Sequence, residues 1–390
     1  MIETNRLSFQ RGLLKNAMEP ASLRGAWLGI DLIALGDNLR AIRELLKPGT
    51  QIMAVVKADA YGHGAEKIAE AALQNGATRL GVATVEEGAK LRRAGVTAPI
   101  LVLGLVPDGA YKAAVENNLQ LTISSARQAQ VLERVALSLG KIADVHVKVN
   151  TGMTRVGCEV HEAPVLVSYV LHSRTIRLVG VASHLATAEA PLPDDAEAQV
   201  AKFAALCNGL KLQSSRVIRH MANSAGTLYL PESHFDMVRV GLAMYGHSPR
   251  GAQPAPVKLT PVLSLRARVA QVKDVHAGAE VGYGGSWTAT KDTRLALLPV
   301  GYADGVPRAL SNRGHAVVRG AKCPLVGRIS MDQSIVDTGS IPVEPGEEVV
   351  LLGGQGDAAA SVESWAEIDE TVNYEILCGL GQRLPKVYYR

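Results

Sequence analysis

The sequence is poor in the features that mark nucleic-acid-binding and membrane proteins. Only 4% of its 390 residues are aromatic, and 41 Lys+Arg against 37 Asp+Glu leave a net charge of +4. So weak a charge, without basic runs or many aromatic side chains, argues against nucleic acid as a partner. The apolar runs are far shorter than the ~20 residues that cross a bilayer, so no membrane association is expected.

Cysteine is scarce as well. Cys158, Cys207, Cys323 and Cys378 are scattered and form no CxxC pair. This spacing argues against a structural zinc site and against a disulfide framework, and we expect no metal. Residues 1–20 lack the apolar core of a secretory signal. The sequence therefore predicts a cytoplasmic globular protein.

Strand and helix patterns alternate over the first two thirds of the chain. Helical patterns occur at 30–46, 65–74, 86–94, 127–139 and 195–212. Short apolar runs predict strands at 52–56, 80–83, 100–103, 119–123, 145–149, 178–182, 217–220 and 236–240. The gap after the seventh strand is too short for a long helix. Eight such strands predict a (β/α)8 TIM-type barrel of the α/β class rather than a doubly wound sheet.

The pattern changes near residue 261. Period-two alternation at 263–269 and short strand-like runs at 295–300, 316–318, 334–337 and 349–352 predict a mainly antiparallel β domain, with one helix at 364–377. We therefore expect an N-terminal extension (1–23), a barrel (24–260) and a C-terminal β domain (261–390). The GGQGD run at 353–357 indicates a tight turn rather than a phosphate loop.

Polar residues follow five of the predicted barrel strands, where barrel enzymes place their active sites. They are Lys57, Arg155, His184, Asn223 with Ser224, and Arg239 with Gly241. A lysine in this position is solvated, ion-paired, or able to bind the aldehyde of pyridoxal phosphate. The Ser224 hydroxyl and the Gly241 N–H can serve a phosphate. For Arg239 the simpler alternative is an ion pair with Asp236.

Six segments carry a family resemblance. They are AVVKADAYGHGA, KVNTGMTRVG, HMANSAG, VRVGLAMYG, VGYGGSW and the pair PVGYADG and RISMDQ. In this order they resemble the motifs of the alanine racemase family, over about residues 24–390. The resemblance implies a barrel followed by a β domain, pyridoxal 5'-phosphate as cofactor, and interconversion of L- and D-alanine for peptidoglycan. It also implies a homodimer whose active sites are shared between subunits.

The resemblance further implies roles for matching residues. Lys57 would carry the cofactor and act with Tyr283 as one of two bases on opposite faces of the substrate. A phenol needs a cationic neighbour to act near neutral pH, and His184, bonded to Arg239, would belong to that neighbourhood. Arg239 would leave the pyridine nitrogen unprotonated, because arginine does not release its proton. The other matching positions around the cofactor are Tyr61, His184, Asn223, Ser224, Gly241 and Tyr374. Arg155 would contact both the phenolic oxygen of the cofactor and the substrate carboxylate, Met331 would lie at the substrate, and Tyr302 and Asp332 at the entrance.

Several alternatives stay open. Lys148 stands where some family members carry a carbamylated lysine, or it is an unmodified lysine paired with a carboxylate. Tyr283, between glycines, can be a surface turn residue, and His63 is more simply a turn residue than a metal ligand. A racemase of the same fold acting on serine, lysine or several amino acids is the main functional alternative. A basic amino-acid decarboxylase and a cofactor-binding barrel without catalysis are the others.

Overall fold

The computed structural model describes residues 23–189, 194–212, 216–251, 253, 255–354, 358–381 and 383–390. The chain forms two compact units, one of residues 34–260 and one of residues up to Ile33 together with Pro261–Arg390. The predicted N-terminal extension lies outside the described residues except for Leu23, and so do three residues of the GGQGD run.

Residues 34–260 contain a closed barrel of eight parallel strands. The strands are Gln51–Val55, Arg79–Val82, Ile100–Leu105, Gln120–Ile123, Ala143–Asn150, Ile176–Ala182, Ile218–His220 and Met237–Val240. Each pairs in parallel with the next, and the eighth closes the ring by pairing with the first, Val238 opposite Ile52. The predicted barrel is therefore confirmed.

Helices alternate along the chain with the barrel strands, and the first of them precedes strand Gln51–Val55. They are Leu32–Glu44, Ala65–Gln74, Val85–Arg93, Tyr111–Glu116, Ala126–Ser138, Ala163–His172, Asp194–Gly209 and the short Ser224–Tyr229. Their starts follow from local chemistry: Thr84 and Glu87 form a capping box, and Ser125 accepts the N–H of Gln128. Short 3₁₀ turns lie at Asp108–Ala110, Pro231–Ser233 and Leu242–Tyr245. As expected, only a six-residue helix follows the seventh strand.

The second unit is mainly antiparallel, as predicted. Its six-stranded sheet has the order Ala321–Pro324, His315–Val318, Glu348–Leu352, Leu263–Arg268, Ala26–Asp31 and Lys386–Tyr389. Gln271–Val275, Thr293–Leu298 and Ser334–Gly339 form a second sheet, and Glu280–Val281 pairs with Trp287–Thr288. Short 3₁₀ turns occur at Tyr283–Gly285, Tyr302–Asp304 and Arg308–Leu310.

Residues 24–33 differ from the expectation that they begin the barrel. Ala26–Asp31 is a strand of the second unit, antiparallel to Leu263–Arg268, with Ile30 opposite Leu263. The helix expected from residue 30 therefore begins at Leu32. The apolar spacing of Ile30 fits a buried strand and a helix equally well, and the pairing partner lies more than 200 residues away.

The helix expected at 364–377 is two helices, Val362–Ile368 and Asn373–Gly379. Glu370, between them, has a φ of 55°, a left-handed conformation that ends a helix. None of the helices in the described ranges combines the length and hydropathy of a membrane span.

Candidate active site

Lys57 lies at the start of an unusual turn after the first barrel strand. Four residues in a row, Ala58 to Tyr61, have φ between 51° and 57°. Left-handed backbone costs a non-glycine residue about 1–2 kcal/mol, so this turn needs external support. The Lys57 side chain itself is exposed in the chain as described.

Glu87 supplies part of that support. Its Oε1 accepts the N–H of Ala58 at 2.7 Å, and its Oε2 accepts the N–H of Ala83, after the second barrel strand, also at 2.7 Å. At the other end of the turn, Asp59 accepts the N–H of Ala65 at 2.9 Å. Charged acceptors make stronger hydrogen bonds than neutral ones. These two carboxylates therefore fasten the segment that presents Lys57.

His63 closes the same segment. Its Nδ1 lies 2.9 Å from the carbonyl oxygens of both Ala60 and Tyr61, and its ring is fully buried beside Tyr245, with 4.4 Å between ring centroids. These contacts agree with the interpretation of His63 as a turn residue. Among the residues that the structure describes, no group of three or more His, Cys, Asp or Glu is arranged to hold a metal.

Arg239 is buried among neutral hydrogen-bond acceptors. Its Nη2 contacts Nδ1 of His184 at 2.8 Å and the carbonyl oxygens of Ser183 and Met221 at 3.0 Å, and its Nη1 contacts Nδ1 of His220 at 3.0 Å. Burial lowers the pKa of Arg239 to about 10, so it is charged at neutral pH. These contacts leave two of the five guanidinium hydrogens for a ligand.

The alternative partner of Arg239, Asp236, is engaged elsewhere. Its carboxylate accepts two hydrogen bonds from the Arg219 side chain, at 2.7 and 2.8 Å, and one from the Arg219 backbone N–H. Alternation along the strand places residues 236 and 239 on opposite faces. The simple ion pair considered for Arg239 is therefore not formed.

Positive charge is concentrated around His184. Its pKa lies well below the ordinary value because it is buried and because the charges of Arg239, Lys148, Arg155 and Lys57 act on it. His184 is thus neutral at physiological pH, and the cation next to it is Arg239. Within the described part of the chain, no carboxylate oxygen lies within 4.0 Å of these four cationic side chains. A cluster of unneutralised cations fits an anionic ligand.

Lys148 differs from the other three basic side chains because it is half-buried and its charged form is disfavoured. Its Nζ donates to the Ser183 carbonyl oxygen at 3.0 Å. Burial, with the charges of Arg239 and Arg155, holds the pKa of Lys148 well below its usual range. The carboxylate partner that an unmodified, charged lysine would need is not present among the described residues. An amine in this state is a nucleophile.

Ser224 and Gly241 lie together at the ends of the seventh and eighth strands. The Ser224 Oγ accepts the N–H groups of Gly241 at 3.1 Å and of Ala243 at 3.2 Å, which leaves its O–H hydrogen to donate. A Cβ on residue 241 would lie 2.6 Å from the Tyr61 hydroxyl oxygen, so only glycine lets this hydroxyl approach. The neighbouring Asn223 uses its Oδ1 to cap helix Ser224–Tyr229 through the Gly226 N–H.

Asn150 organises the turn that carries Arg155. Its Oδ1 accepts the N–H groups of Gly152 and Thr154, and its Nδ2 donates to Glu159 at 2.9 Å. An amide does both, whereas a carboxylate at this position would repel Glu159. Arg155 follows with an exposed side chain.

The second unit carries the remaining predicted site residues. The N–H of Tyr302 donates to Ser330 O and the N–H of Ala303 to Met331 O, both at 3.0 Å, which brings Tyr302 next to Met331 and Asp332. The Asp332 carboxylate is paired with Arg383 at 2.7 Å. Tyr283 lies in a 3₁₀ turn with 73% of its side chain exposed, and Tyr374 lies in helix Asn373–Gly379.

Sequence reasoning missed three buried polar residues, Gln120, His146 and His220. His146 and Lys148 are two apart in one strand, so they share a face, and Lys148 was already singled out. That shared face was the signal that a histidine also points into the barrel.

Comparison with known proteins agrees with this geometry. The family model described as "Alanine racemase, N-terminal domain" matches residues 30–249, and "Alanine racemase, C-terminal domain" matches residues 262–388. The chain belongs to the alanine racemase family. Members of this family are amino-acid racemases, which are isomerases, and the expected enzyme class is thereby confirmed.

Individual relatives are similar over nearly their whole length. The chain is 43% identical to the alanine racemase of Desulfovibrio desulfuricans, covering 94% of this chain and 98% of the relative. The solved alanine racemase of Streptomyces coelicolor is 39% identical with a TM-score of 0.88, covering 94% and 99%. A histidine racemase from Leuconostoc mesenteroides is 30% identical with a TM-score of 0.87, covering 95% and 100%.

Proposed function

We propose that this racemase interconverts L- and D-alanine with pyridoxal 5'-phosphate, using two bases. The observation that carries the proposal is the cationic group around His184, formed by Arg239, Arg155 and Lys57 without a carboxylate partner, with Arg239 bonded only to neutral acceptors. A phosphorylated cofactor and a substrate carboxylate are anions that such a group attracts.

The residues present fit this cofactor. Lys57 would hold its aldehyde carbon. The Ser224 hydroxyl and Tyr61, with Asn223 and Tyr374, would hold its phosphate, and the Gly241 N–H would exchange its bond to Ser224 Oγ for one to the phosphate. Arg239 would direct a remaining N–H to the ring nitrogen, which then stays unprotonated. When bound, the cofactor withdraws electrons from the substrate and makes its Cα proton acidic. A weaker electron sink favours proton exchange at Cα over transamination.

Two bases on opposite faces explain inversion at Cα. In this proposal Lys57 moves a proton on one face, and Tyr283 of a partner subunit moves a proton on the other. The exposed side chain of Tyr283 agrees with a site completed in a homodimer. His184 is neutral, so it would transmit the effect of the charge on Arg239 to the phenol rather than supply a charge itself.

Arg155 and the backbone at Met331 would bind the substrate carboxylate, and Tyr302 with Asp332 would line the entrance. Lys148 would carry a carbamate, because a neutral amine without a carboxylate partner can add carbon dioxide at its nitrogen and release a proton to solvent. Its negative charge would orient Arg155, whose charge already acts on Lys148. A ¹³C NMR signal from labelled bicarbonate, lost in Lys148→Met, would test the modification.

The product D-alanine would serve peptidoglycan synthesis in the cytoplasm. All four cysteines are free thiols, three of them buried, which agrees with a reducing compartment. The alternative substrates are serine, lysine or several amino acids. Histidine joins them because a relative with that activity has the same fold over 95% of this chain.

The experiment combines a spectrum with a substrate panel. The purified holoenzyme should show a visible absorption band, borohydride should trap the cofactor on Lys57, and Lys57→Ala should abolish both. We expect kcat/KM to be highest for the two enantiomers of alanine among alanine, serine, lysine and histidine. Serine is the closest competitor, because it adds only one hydroxyl to the alanine side chain and an apolar pocket discriminates weakly against a single added group. A colourless protein, inactive with added cofactor, would refute the proposal.

A further inference from the structure

A chain of hydrogen bonds leads from Arg239 into the core of the barrel. Arg239 Nη1 lies 3.0 Å from His220 Nδ1, and His220 Nε2 lies 2.9 Å from His146 Nδ1. His146 Nε2 lies 3.2 Å from Gln120 Oε1, and Gln120 Nε2 donates to Asp144 Oδ2 at 3.2 Å. We call these five residues the core chain. Except for the half-buried Asp144, each is at most 6% exposed.

The two ends of the core chain determine where every proton lies. A guanidinium only donates and an ionised carboxylate only accepts. His220 must therefore accept at Nδ1 and, being neutral, carries its hydrogen on Nε2. His146 in turn accepts at Nδ1 and carries its hydrogen on Nε2, which it donates to Gln120. All the hydrogen bonds run in one direction, from the barrel mouth to Asp144.

Several features keep this arrangement in place. Asp144 is fixed as an acceptor by Arg177, whose Nε donates to its other oxygen at 2.7 Å. Arg79 donates to the same Gln120 Oε1 at 3.2 Å, which holds that oxygen towards His146. Gly180 makes room for the His146 ring, because a Cβ there would lie 2.3 Å from its Nδ1. Within the described part of the chain, these residues are connected by side-chain hydrogen bonds to the proposed cofactor site only through Arg239.

We propose that the core chain holds Arg239 in the position that favours racemisation. His146, two hydrogen bonds away from the guanidinium, would therefore affect the ratio of racemisation to transamination. The inference rests on the proposed role of Arg239. Without an acceptor at His146, the Nε2–H of His220 has no partner in the core, because Nδ1 must still accept from Arg239. A buried donor without an acceptor is costly, so the His220 ring turns towards another acceptor, its Nδ1 leaves Nη1, and the guanidinium shifts away from the ring nitrogen.

His146→Leu and His146→Asn form the matched test. Asparagine can place an acceptor oxygen where Nδ1 lies, whereas leucine cannot. His234→Asn is the control, since His234 is equally buried but bonds to Thr227 O outside the core chain. The readouts are the ¹⁵N NMR resonances of the His220 ring, which report its tautomer and its hydrogen bonds, the affinity for pyridoxal phosphate, and pyruvate formed per racemisation turnover.

In the wild-type protein His220 should carry its hydrogen on Nε2. In His146→Leu we expect the ¹⁵N resonance of His220 Nδ1 to lose the signature of its hydrogen bond to Arg239, kcat/KM to fall roughly ten- to a hundredfold with KM little changed, and pyruvate per turnover to rise. His146→Asn and His234→Asn should keep that hydrogen bond and the wild-type product ratio. If His146→Leu does not fold, Gln120→Met is the second variant. It removes the oxygen that accepts from His146 Nε2, at the start of a strand, and we expect the same changes.

A His220 Nδ1 that stays hydrogen-bonded to Arg239, with an unchanged product ratio, in a folded His146→Leu or Gln120→Met protein would overturn the inference. A product ratio altered equally by His234→Asn would overturn it as well. The tautomer is measured on the protein without cofactor, so the NMR measurement does not depend on the proposed reaction. If the wild-type protein neither binds pyridoxal phosphate nor racemises alanine, the proposed function fails. The tautomers of the histidines still show whether the hydrogen bonds of the core chain all run from Arg239 towards Asp144.

Discussion

Arg239 Nη2 donates to Nδ1 of His184 across 2.8 Å. Because arginine has no acceptor, neutral His184 carries its hydrogen on Nε2, on the side of the ring away from the guanidinium. A single neutral ring therefore separates the charge of Arg239 from whatever contacts Nε2. The same arginine is bonded on its other side to His220, so one guanidinium aligns both histidines.

Replacing Arg239 with glutamate should change the product. A carboxylic side chain at the ring nitrogen keeps that nitrogen protonated, which strengthens the electron sink and permits protonation at the wrong carbon. We expect slower racemisation and more pyruvate per racemisation turnover, measured with lactate dehydrogenase and by chiral chromatography. Arg239→Lys, which retains a cation, is the control and should form little pyruvate. Equal ratios in wild type and Arg239→Glu would contradict the role assigned to Arg239.

Mixing two inactive variants should restore activity if sites are shared between subunits. Lys57→Ala and Tyr283→Ala each inactivate every site of their own homodimer. In a heterodimer one site inherits both defects and the other neither, and random exchange makes half of the dimers heterodimers. Activity should then approach about a quarter of the wild-type value. Exchange proved by mass spectrometry of tagged subunits, without restored activity, would rule out sharing.

Glu87→Gln should loosen the turn that carries Lys57. The amide has only one acceptor oxygen, so one of the N–H groups of Ala58 and Ala83 faces an NH₂ group instead. Hydrogen bonds to charged groups are worth about 1.5–3 kcal/mol, and we expect a loss of that order in the free energy of unfolding. Urea titration measures it. Glu86→Gln, an exposed neighbour on the same helix, should change it by less than about 0.5 kcal/mol.

Acid should destabilise the protein through its buried histidines. Burial, with the charges of Arg79 and Arg239, lowers the pKa of His146 to about 3. The unfolded chain binds a proton at His146 near pH 6.5 while the folded chain does not, so this contribution to stability is present above pH 6.5 and is lost as the pH falls towards 3.

The loss is measurable by comparison with His146→Asn, which does not titrate. Between about pH 6 and pH 4, the free energy of unfolding should fall with decreasing pH in both proteins. The slope for the wild type should exceed the slope for His146→Asn by about 1.4 kcal/mol per pH unit. The carboxyl groups are common to both proteins and cancel in the comparison. Parallel pH profiles would show that the His146 proton is bound equally in both states.

The barrel was readable from the sequence because its signals are local. Short apolar runs and amphipathic stretches such as Ala65–Gln74 reflect contacts that every strand and helix of a barrel makes with its neighbours. The positions of Lys57, His184 and Arg239 at strand ends follow from the same pattern, since parallel strands end at one mouth. The sequence by itself therefore determined the fold class, and its motifs determined the family.

Tertiary structure alone decided what surrounds those residues. Strand Ala26–Asp31 belongs with Leu263–Arg268, which no local pattern reveals. The left-handed turn after Lys57 depends on Glu87, some 30 residues away, and the neutral acceptors of Arg239 come from two other strand ends. The direction of the core chain depends on Arg239 and Asp144 meeting through two histidines and a glutamine from three strands. Charge state, tautomer and strain depend on burial and on distant partners, and these exist only once the chain has closed its barrel.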